Sequence, residues 1–394
     1  MTVSPSSPLA GLRVIDLTSV VAGPYATLLL GDFGAEVIKV EPPTGDRARD
    51  LGPRVHEGMG AVFVNLNRGK RSVVLDLSTE AGRAALKTLV DTADVFVHNL
   101  RPDAAGGCGA DAETLRAGHP ELVHCTIRGF GSDGPYRDLP AYDDIIQAAS
   151  GIAAQQAWMA GEPQYVATAV ADKVSGLTAA LAVSAALRGR DQSGVGATIE
   201  VPMFESLVAF GLLEHLWGRT FVPPRGEARY PRTTSPARRP FRTADGWISV
   251  VVYTDAHWAQ FFELIGHPEL ATDERYATLW GRTQEHDALY PLIDESLRGD
   301  TTDEWLERLR AAGIPAVRYA EVEDLFEDPH LREVGFFASV PHPSEGDLVQ
   351  FATPVRFDGQ HGTPDAPAPR LGEHTDAVLR SIGVDPVDAA GSSG

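Results

Sequence analysis

Cysteine is almost missing from this chain. Only Cys108 and Cys125 occur, with no CxxC spacing, so neither a disulfide framework nor a zinc site is legible. Such usage predicts a reducing, cytoplasmic compartment. No apolar run approaches the roughly 18 residues a membrane span needs, and no membrane is expected. The opening Met1-Thr-Val-Ser-Pro-Ser-Ser-Pro8 lacks the basic start and apolar centre of a signal peptide. Basic charge is scarce as well, with 34 Lys and Arg against 54 Asp and Glu and a net charge of -20. A field of that sign argues against nucleic acid and anionic membrane as partners. It leaves room for a polyanionic small ligand, which needs only a local basic pocket. The twelve histidines show no HExxH and no i, i+4 helical pair, so no metal is predicted. His98, at a strand end, and His124, within a strand, read as satisfied structural residues. There is no GxSxG elbow, Ser175 has no evident histidine partner, and no repeat of solenoid period occurs.

What is present is ordinary soluble composition: 43% hydrophobic, 22% charged, mean hydropathy -0.12. A chain of 394 residues exceeds the size at which single cores stop growing, about 250–300 residues, which suggests two domains. The first half alternates strand and helix. Strands are predicted over 13–17, 37–41, 72–77, 95–98, 122–128 and 198–201, and helices over 24–33, 80–91, 143–150, from Asp172 to about 187, and 203–217. Pro24 suits a first helical position and Gly34 the residue past the helix end. Alternation on this scale implies an α/β fold, a large Rossmann-like open parallel sheet with helices on both faces. From 219 to 242 the character changes: seven arginines and five prolines make a loop-rich connector. A smaller, helix-dominated α+β domain follows, with a strand over 247–252 and helices over 256–265, 287–297 and 302–312. The stretch 340–394 is rich in Pro and Gly, with one late helix near 375–382 and a disordered end, Asp388–Gly394. The expected organisation is a large domain over 1–220, completed by 327–394, with connector and small domain over 221–326.

Three segments could carry chemistry. Tyr165-Val-Ala-Thr-Ala-Val-Ala-Asp172-Lys-Val-Ser-Gly176 puts a carboxylate at the start of a small-residue helix. There Asp172 either caps the helix or serves as a nucleophile, held ionised by helix N–H groups and the dipole. The loop Asn65-Leu-Asn-Arg68-Gly-Lys70-Arg71-Ser72 is either a solvated turn or a phosphate contact. Gly129-Phe-Gly131-Ser-Asp-Gly134 matches GxGxxG after a strand, but Pro135 follows and no helix starts there to meet a pyrophosphate. It reads as a turn-rich loop rather than a dinucleotide site.

Taken in order, further motifs resemble one family. They are Pro8-Leu-Ala-Gly-Leu-Arg-Val-Ile-Asp16, Ala22-Gly-Pro24, Gly34-Ala-Glu-Val-Ile-Lys-Val-Glu41, Asn67-Arg-Gly-Lys-Arg-Ser72, Asn99-Leu-Arg-Pro102, Gly129-Phe-Gly-Ser-Asp-Gly-Pro135, Tyr142-Asp-Asp-Ile-Ile-Gln-Ala-Ala-Ser-Gly151 and Ala171-Asp172. Ala244-Asp-Gly246, Ala311-Ala-Gly-Ile-Pro315, Asp328-Pro329 and Leu371-Gly-Glu-His374 complete the set. Over nearly its whole length the chain resembles the class III (CaiB/BaiF-type) CoA-transferases, a family that includes formyl-CoA transferases and alpha-methylacyl-CoA racemases. The resemblance implies an interlocked, ring-like homodimer. It implies CoA transfer from an acyl-CoA to a carboxylic acid, with Asp172 as nucleophile and no cofactor beyond the CoA thioester substrate. It also implies CoA contacts from Val20, Val21 and Ala22 at the pantetheine end, from Asn67, Arg68, Gly69 and Lys70 at the nucleotide, and from Asn99, Leu100 and Arg101. Tyr142 and Asp143 would lie beside the thioester.

Departures from the family pattern bear on substrate. Val21 stands where formyl-CoA transferases tend to carry glutamine, and Thr233-Thr-Ser-Pro-Ala-Arg-Arg-Pro240 replaces a Gly-rich lid, which argues against oxalate as acceptor. Ala104-Ala-Gly-Gly-Cys-Gly109 lacks an arginine that many members carry. Racemases place a histidine where Tyr142 stands, and a phenol with a pKa of about 10 is a poor base at neutral pH. A racemase or epimerase, and a CoA-binding protein without turnover, are the alternatives to a transferase.

Overall fold

The computed structural model describes residues 7–361 and 366–386. The end expected to be disordered, Asp388–Gly394, lies outside the described residues. Contacts divide the chain into two units: Met1–Ser150 with Ala167–Phe210 and Pro329–Gly394, and Gly151–Val166 with Gly211–Asp328.

The first unit is built on apolar strands linked by helices. In chain order these are β1 (Arg13–Leu17), α1 (Ala22–Asp32), β2 (Glu36–Glu41), α2 (Ala61–Asn67), β3 (Arg71–Val74), α3 (Glu80–Val90), β4 (Val95–His98), α4 (Pro102–Cys108), α5 (Ala112–Ala117), β5 (Val123–Arg128) and α6 (Asp143–Ala149). After α7 (Ile152–Ala160), which belongs to the second unit, come α8 (Val170–Ser193), β6 (Thr198–Pro202) and α9 (Met203–Leu212). The six strands form one parallel sheet in the order β3-β2-β1-β4-β5-β6. Ile15 stands level with Ile38 on one side and Phe96 on the other, and all three are buried together with Val73, Leu86 and Leu89. Each such side chain contributes roughly 1.5–3 kcal/mol on burial. Strand order reverses between β1 and β4, and in open α/β sheets ligands sit beyond the carboxyl ends of the strands at such a point.

Helix α8 shows why small residues recur in its sequence. Ala171, Ser175, Gly176, Ala179, Ala180, Val183 and Leu187 are its buried face, at helical spacing. Only glycine fits at 176, because a Cβ there would lie 2.7 Å from the Ala22 carbonyl oxygen at the start of α1. At 24 residues α8 is also long and apolar enough, by composition alone, to cross a membrane, which corrects the reading that no segment is. Its packing on α1, β5 and β6 is that of a core helix, whose bulk of Ala, Val and Leu serves helix contact.

The second unit has a three-stranded antiparallel sheet, β7 (Phe241–Arg242), β8 (Trp247–Val250) and β9 (Ala316–Arg318). Five helices accompany it: α10 (Pro231–Thr234), α11 (Asp255–Leu264), α12 (Leu279–Gln284), α13 (His286–Leu297) and α14 (Thr302–Ala311). Ile248, Phe261, Phe262, Ile293, Trp305 and Leu309 fill its core. A Thr301–Glu304 capping box starts α14, worth about 1 kcal/mol. The segments 151–166 and 211–220, read as part of the large domain, group here instead. Gln155 donates to the Gly211 carbonyl (3.0 Å), and Trp158 packs on the His215 ring.

The chain then returns to the first unit through α15 (Pro329–Glu333), the hairpin β10 (Phe337–His342) and β11 (Gly346–Phe351), and α16 (Thr375–Ser381). The hairpin was not expected in a Pro-rich stretch. Its Pro341 is tolerated because both strands of a two-stranded ribbon are edges. The return is stitched to β3: Gly372 N–H donates to Ser72 Oγ (2.9 Å) and Val74 N–H to Thr375 Oγ1 (3.0 Å).

Candidate active site

The loop leaving β1, Thr18–Val21, lies at the switch point of the sheet, and a layer of buried charge holds it. Lys39 Nζ donates to the Thr18 carbonyl (2.8 Å) and pairs with Asp46 at 2.8 Å. Asn99, just past β4, accepts from Ser19 N–H (3.0 Å) and donates to the Ser19 carbonyl (2.9 Å). Asp46 Oδ1 accepts from Val20 N–H (3.1 Å). These bonds hold Val20 at φ 71°, left-handed backbone that a β-branched residue adopts at a cost of about 1–3 kcal/mol. Val21 is the N-cap of α1, and Ala22 is buried at its first turn.

Beneath the loop, Lys70 Nζ donates to Asp16 Oδ2 (2.9 Å), the Pro24 carbonyl (2.9 Å), Thr27 Oγ1 (2.8 Å) and Asn67 Oδ1 (2.9 Å). Asp16 also accepts from the Thr18 N–H and from the Thr18 and Thr27 hydroxyls. Burial opposes its charge, but Lys70, Lys39 and the two hydroxyls hold it well below the usual carboxylate range. Burial pushes Lys70 down to about 8 despite Asp16. With four acceptors on the ammonium, the pair is ionised at neutral pH. Arg68 makes a two-pronged pair with Asp32.

The central side chains of the basic loop, read from sequence as a solvated turn or a phosphate contact, are not solvated. Asn67, Arg68 and Lys70 are all buried, and each has an internal partner: the Phe63 carbonyl, Asp32 and Asp16 respectively. Gly69, at φ 75°, is exposed, as is Asn65. Leu100 packs against the sheet core, and Arg101 is exposed at the start of α4.

Asp172 is the third residue of α8 and half-buried. It does not cap the helix: Ala169 holds the cap position, with no side-chain bond. Its backbone N–H donates to Asp143 Oδ1 (3.0 Å), and Asp143 Oδ2 accepts from Gln147 Nε2 (2.6 Å). Among the described residues no donor meets the Asp172 carboxylate. Burial first, and the Asp143 charge second, push its pKa up from 3.8 to about 7. The sequence expectation that helix N–H groups would hold it ionised is thus corrected, since among the described residues none of them donates to the carboxylate. Asp172 lies one helical turn before Gly176, where a Cβ would meet the Ala22 carbonyl at the start of α1, so the two positions share a helix face. Tyr142 caps α6 beside Asp143 and is 63% exposed.

Other candidates resolve as structural. His98 Nε2 and Thr126 Oγ1 are hydrogen-bonded at 2.9 Å, and His124 Nε2 lies 2.9 Å from the Ala110 carbonyl. Burial, with His124 beside it, pushes His98 down to about 3. Ser175 Oγ donates to the Ala171 carbonyl (2.7 Å). The Gly129–Gly134 loop is a turn held by Glu205 and Glu200 on the Gly131 and Ser132 N–H groups. Among the described residues no cluster of three or more His, Cys, Asp or Glu could hold a metal ion. Asp16, Lys39 and Asp46 were missed by sequence reasoning. For Asp16 and Lys39 the signal was available: charged residues inside parallel strands, which normally read as unbroken apolar runs.

The profile of the family described as CoA-transferase family III matches residues 9–375. The chain is 33% identical over 391 residues to a probable fatty acyl-CoA transferase of Mycobacterium tuberculosis, covering 96% of this chain and 99% of that one. It is 32% identical to a succinyl-CoA:mesaconate CoA-transferase of Haloarcula marismortui, covering 96% and 97%. Among solved structures, the orthorhombic form of that M. tuberculosis protein superposes with a TM-score of 0.81 at 31% identity, over 95% of this chain and 100% of the other. A CaiB/BaiF family protein from Brucella suis superposes with a TM-score of 0.78 at 33% identity, over 96% and 100%. A family profile spanning nearly the whole chain, met by full-length relatives on the same sheet, leaves one assignment: this chain is a member of the class III CoA-transferase family.

Proposed function

We propose that Asp172 is the nucleophile of CoA transfer from an acyl-CoA to a carboxylic acid. The observation that carries this reading is a half-buried carboxylate that no donor among the described residues meets, placed beside a second carboxylate at the switch-point end of the sheet. An Asp172 oxygen attacks the thioester carbonyl carbon. The C–S bond breaks, giving an acyl-aspartyl anhydride and CoA thiolate. The thiolate attacks the aspartyl carbonyl, releasing the first acid and leaving an aspartyl-CoA thioester. The acceptor carboxylate then runs both steps in reverse. Converting Asp172 into a neutral thioester removes one of two neighbouring negative charges, so the proximity that raises its pKa also favours the intermediate. No resident metal or redox cofactor enters these steps.

In this reading Val20, Val21, Ala22, Gly69, Arg101 and Tyr142 face the CoA thioester. Asn67, Arg68, Lys70, Asn99 and Asp143 act from behind, holding the loops and the nucleophile. The enzyme works in the cytoplasm as an interlocked homodimer. Support for a second copy comes from α8, whose outer side leaves Leu177 at 50% and Leu181 at 72% exposure, one turn apart on one face. The Haloarcula marismortui relative is named for a pair of acyl-CoA and carboxylic acid, succinyl-CoA with mesaconate.

The test is Asp172→Ala assayed across several acyl-CoAs and free acids by mass spectrometry. Transfer should fall by at least ~10³-fold while the protein stays folded. Turnover near the wild-type rate would remove Asp172 from the chemistry. A second reading draws on the same pKa near 7, which also suits a carboxyl that shuttles an α-proton. Deuterium uptake at the α-carbon of a chiral acyl-CoA, in deuterated water without free acid, would favour that racemase reading.

A further inference from the structure

The second unit contains a cavity of about 270 Å³ that the chemistry above does not use. It opens between the arginine-rich connector, β8 and helices α12 and α13. Four guanidinium groups line it: Arg232, Arg238, Arg239 and Arg282. In a chain of net charge -20, such a gathering calls for a cause.

Internal pairing does not supply one. Arg282 is 2% exposed and gives one arm to the Tyr276 carbonyl and another to Asp255, but its Nε meets no acceptor. His286 Nε2 is likewise buried without a partner. Among the described residues neither Arg232 nor Arg238 pairs with a carboxylate, and Arg239 reaches Asp294 only at 3.9 Å. An unmet buried polar group costs about 1–3 kcal/mol, and two beside one cavity, one of them the Arg282 Nε–H donor, mark a place where a hydrogen-bonding ligand belongs. Burial, with the Arg232 charge, pushes His286 down to about 4, so it faces the cavity as a neutral ring.

The walls define the rest of the ligand. The His286 and Tyr290 rings stack at 5.5 Å, and Phe241 lies 6.1 Å from Tyr290. Trp258 lines the cavity as well. The volume falls just under the usual range for organic ligands, about 300–1,000 Å³, which admits a small acid and excludes a CoA nucleotide. Guanidinium forks suit carboxylate and phosphate alike, but aromatic walls reward an apolar body that inorganic phosphate lacks.

We propose that this cavity is a binding site for a small organic carboxylate, held by Arg232, Arg238 and the unmet Nε–H of Arg282, beside the His286 ring, against the Tyr290 and Phe241 rings. The site lies wholly within the unit that lacks Asp172. It does not depend on the role given to that residue, and its failure would leave that role untouched.

Isothermal titration of the full-length protein with benzoate, succinate, inorganic phosphate and neutral benzamide tests the proposal. Arg232→Gln/Arg238→Gln and His286→Gln serve as variants; these side chains are half-buried or exposed, so folding should persist, and thermal melts check it. The expected result is saturable binding of benzoate or succinate at or below ~1 mM. That affinity should fall at least ~10-fold in the double-arginine variant, with weaker binding of phosphate and none of benzamide. Binding should survive in Asp172→Ala. Three results would overturn the proposal: no carboxylate binding in the wild-type protein, equal affinity in a folded double-arginine variant, or phosphate binding at least as tight as the carboxylates.

Discussion

Replacing Asp172 by asparagine should stabilise this protein, and only above a definite pH. The folded carboxyl has a pKa of about 7 against an ordinary 3.8. Between those values the folded state binds more protons than the unfolded state, so stability falls as pH rises through the window. A shift of about three units corresponds to ~4 kcal/mol. The side chain is only half-buried, and solvent screening trims this to roughly 2–4 kcal/mol. Asparagine is nearly the same shape, keeps the backbone N–H that donates to Asp143, and brings no charge to repel it. Thermal melts of wild type and Asp172→Asn from pH 4 to 8.5 should coincide near pH 4. They should separate with rising pH and reach a constant difference of roughly 3–10 °C above pH 8. A variant that melts with or below the wild type at pH 8 would refute the claim that burial and Asp143 raise this pKa.

The same geometry gives three further expectations. Gly176→Ala should destabilise by about 1–3 kcal/mol despite alanine's better helix propensity, because its Cβ meets the Ala22 carbonyl at 2.7 Å; urea unfolding measures it, and an unchanged midpoint would contradict the packing. Lys70→Met should cost about 3–5 kcal/mol, since it leaves the buried Asp16 without its ion-pair partner. If Lys70 instead held phosphate from the surface, the same change would raise KM for acyl-CoA and leave urea stability intact. Dilution should release no folded monomer if two copies interlock, and light scattering that finds a stable monomer would exclude that assembly.

The sheet was legible because its strands are near-continuous apolar runs at βα spacing, and 95–98 falls on β4 as read. Asp172 was legible as a helix-start carboxylate in a small-residue segment. Its environment was not, because the charge that perturbs it comes from Asp143, 29 residues away, and side-chain direction at the third helical position cannot be read from spacing. The Asn67–Lys70 segment shows the same limit from the other side. Arg68 and Lys70 read as parts of a surface loop, yet their partners Asp16, Thr27 and Asp32 lie 36 to 54 positions earlier. The buried layer of Asp16, Lys39 and Asp46 was announced only by the first two, charges in strands that should carry none; Asp46 lies in the loop after β2. The helix over 203–217 stops at Leu212, and α7 joins the second unit through Trp158 and Gln155. Both depend on tertiary contacts that helical periodicity does not encode.

The central claim is that CoA becomes covalently attached to Asp172 during turnover. An ionised carboxylate is inert to hydroxylamine, whereas an acyl-aspartyl or aspartyl-CoA species is not. Enzyme incubated with acyl-CoA and hydroxylamine should lose activity, and peptide mapping should find the hydroxamate on Asp172, with no mark when acyl-CoA is omitted. An Asp172 peptide that stays unmodified while acyl transfer is demonstrably running would contradict the covalent route.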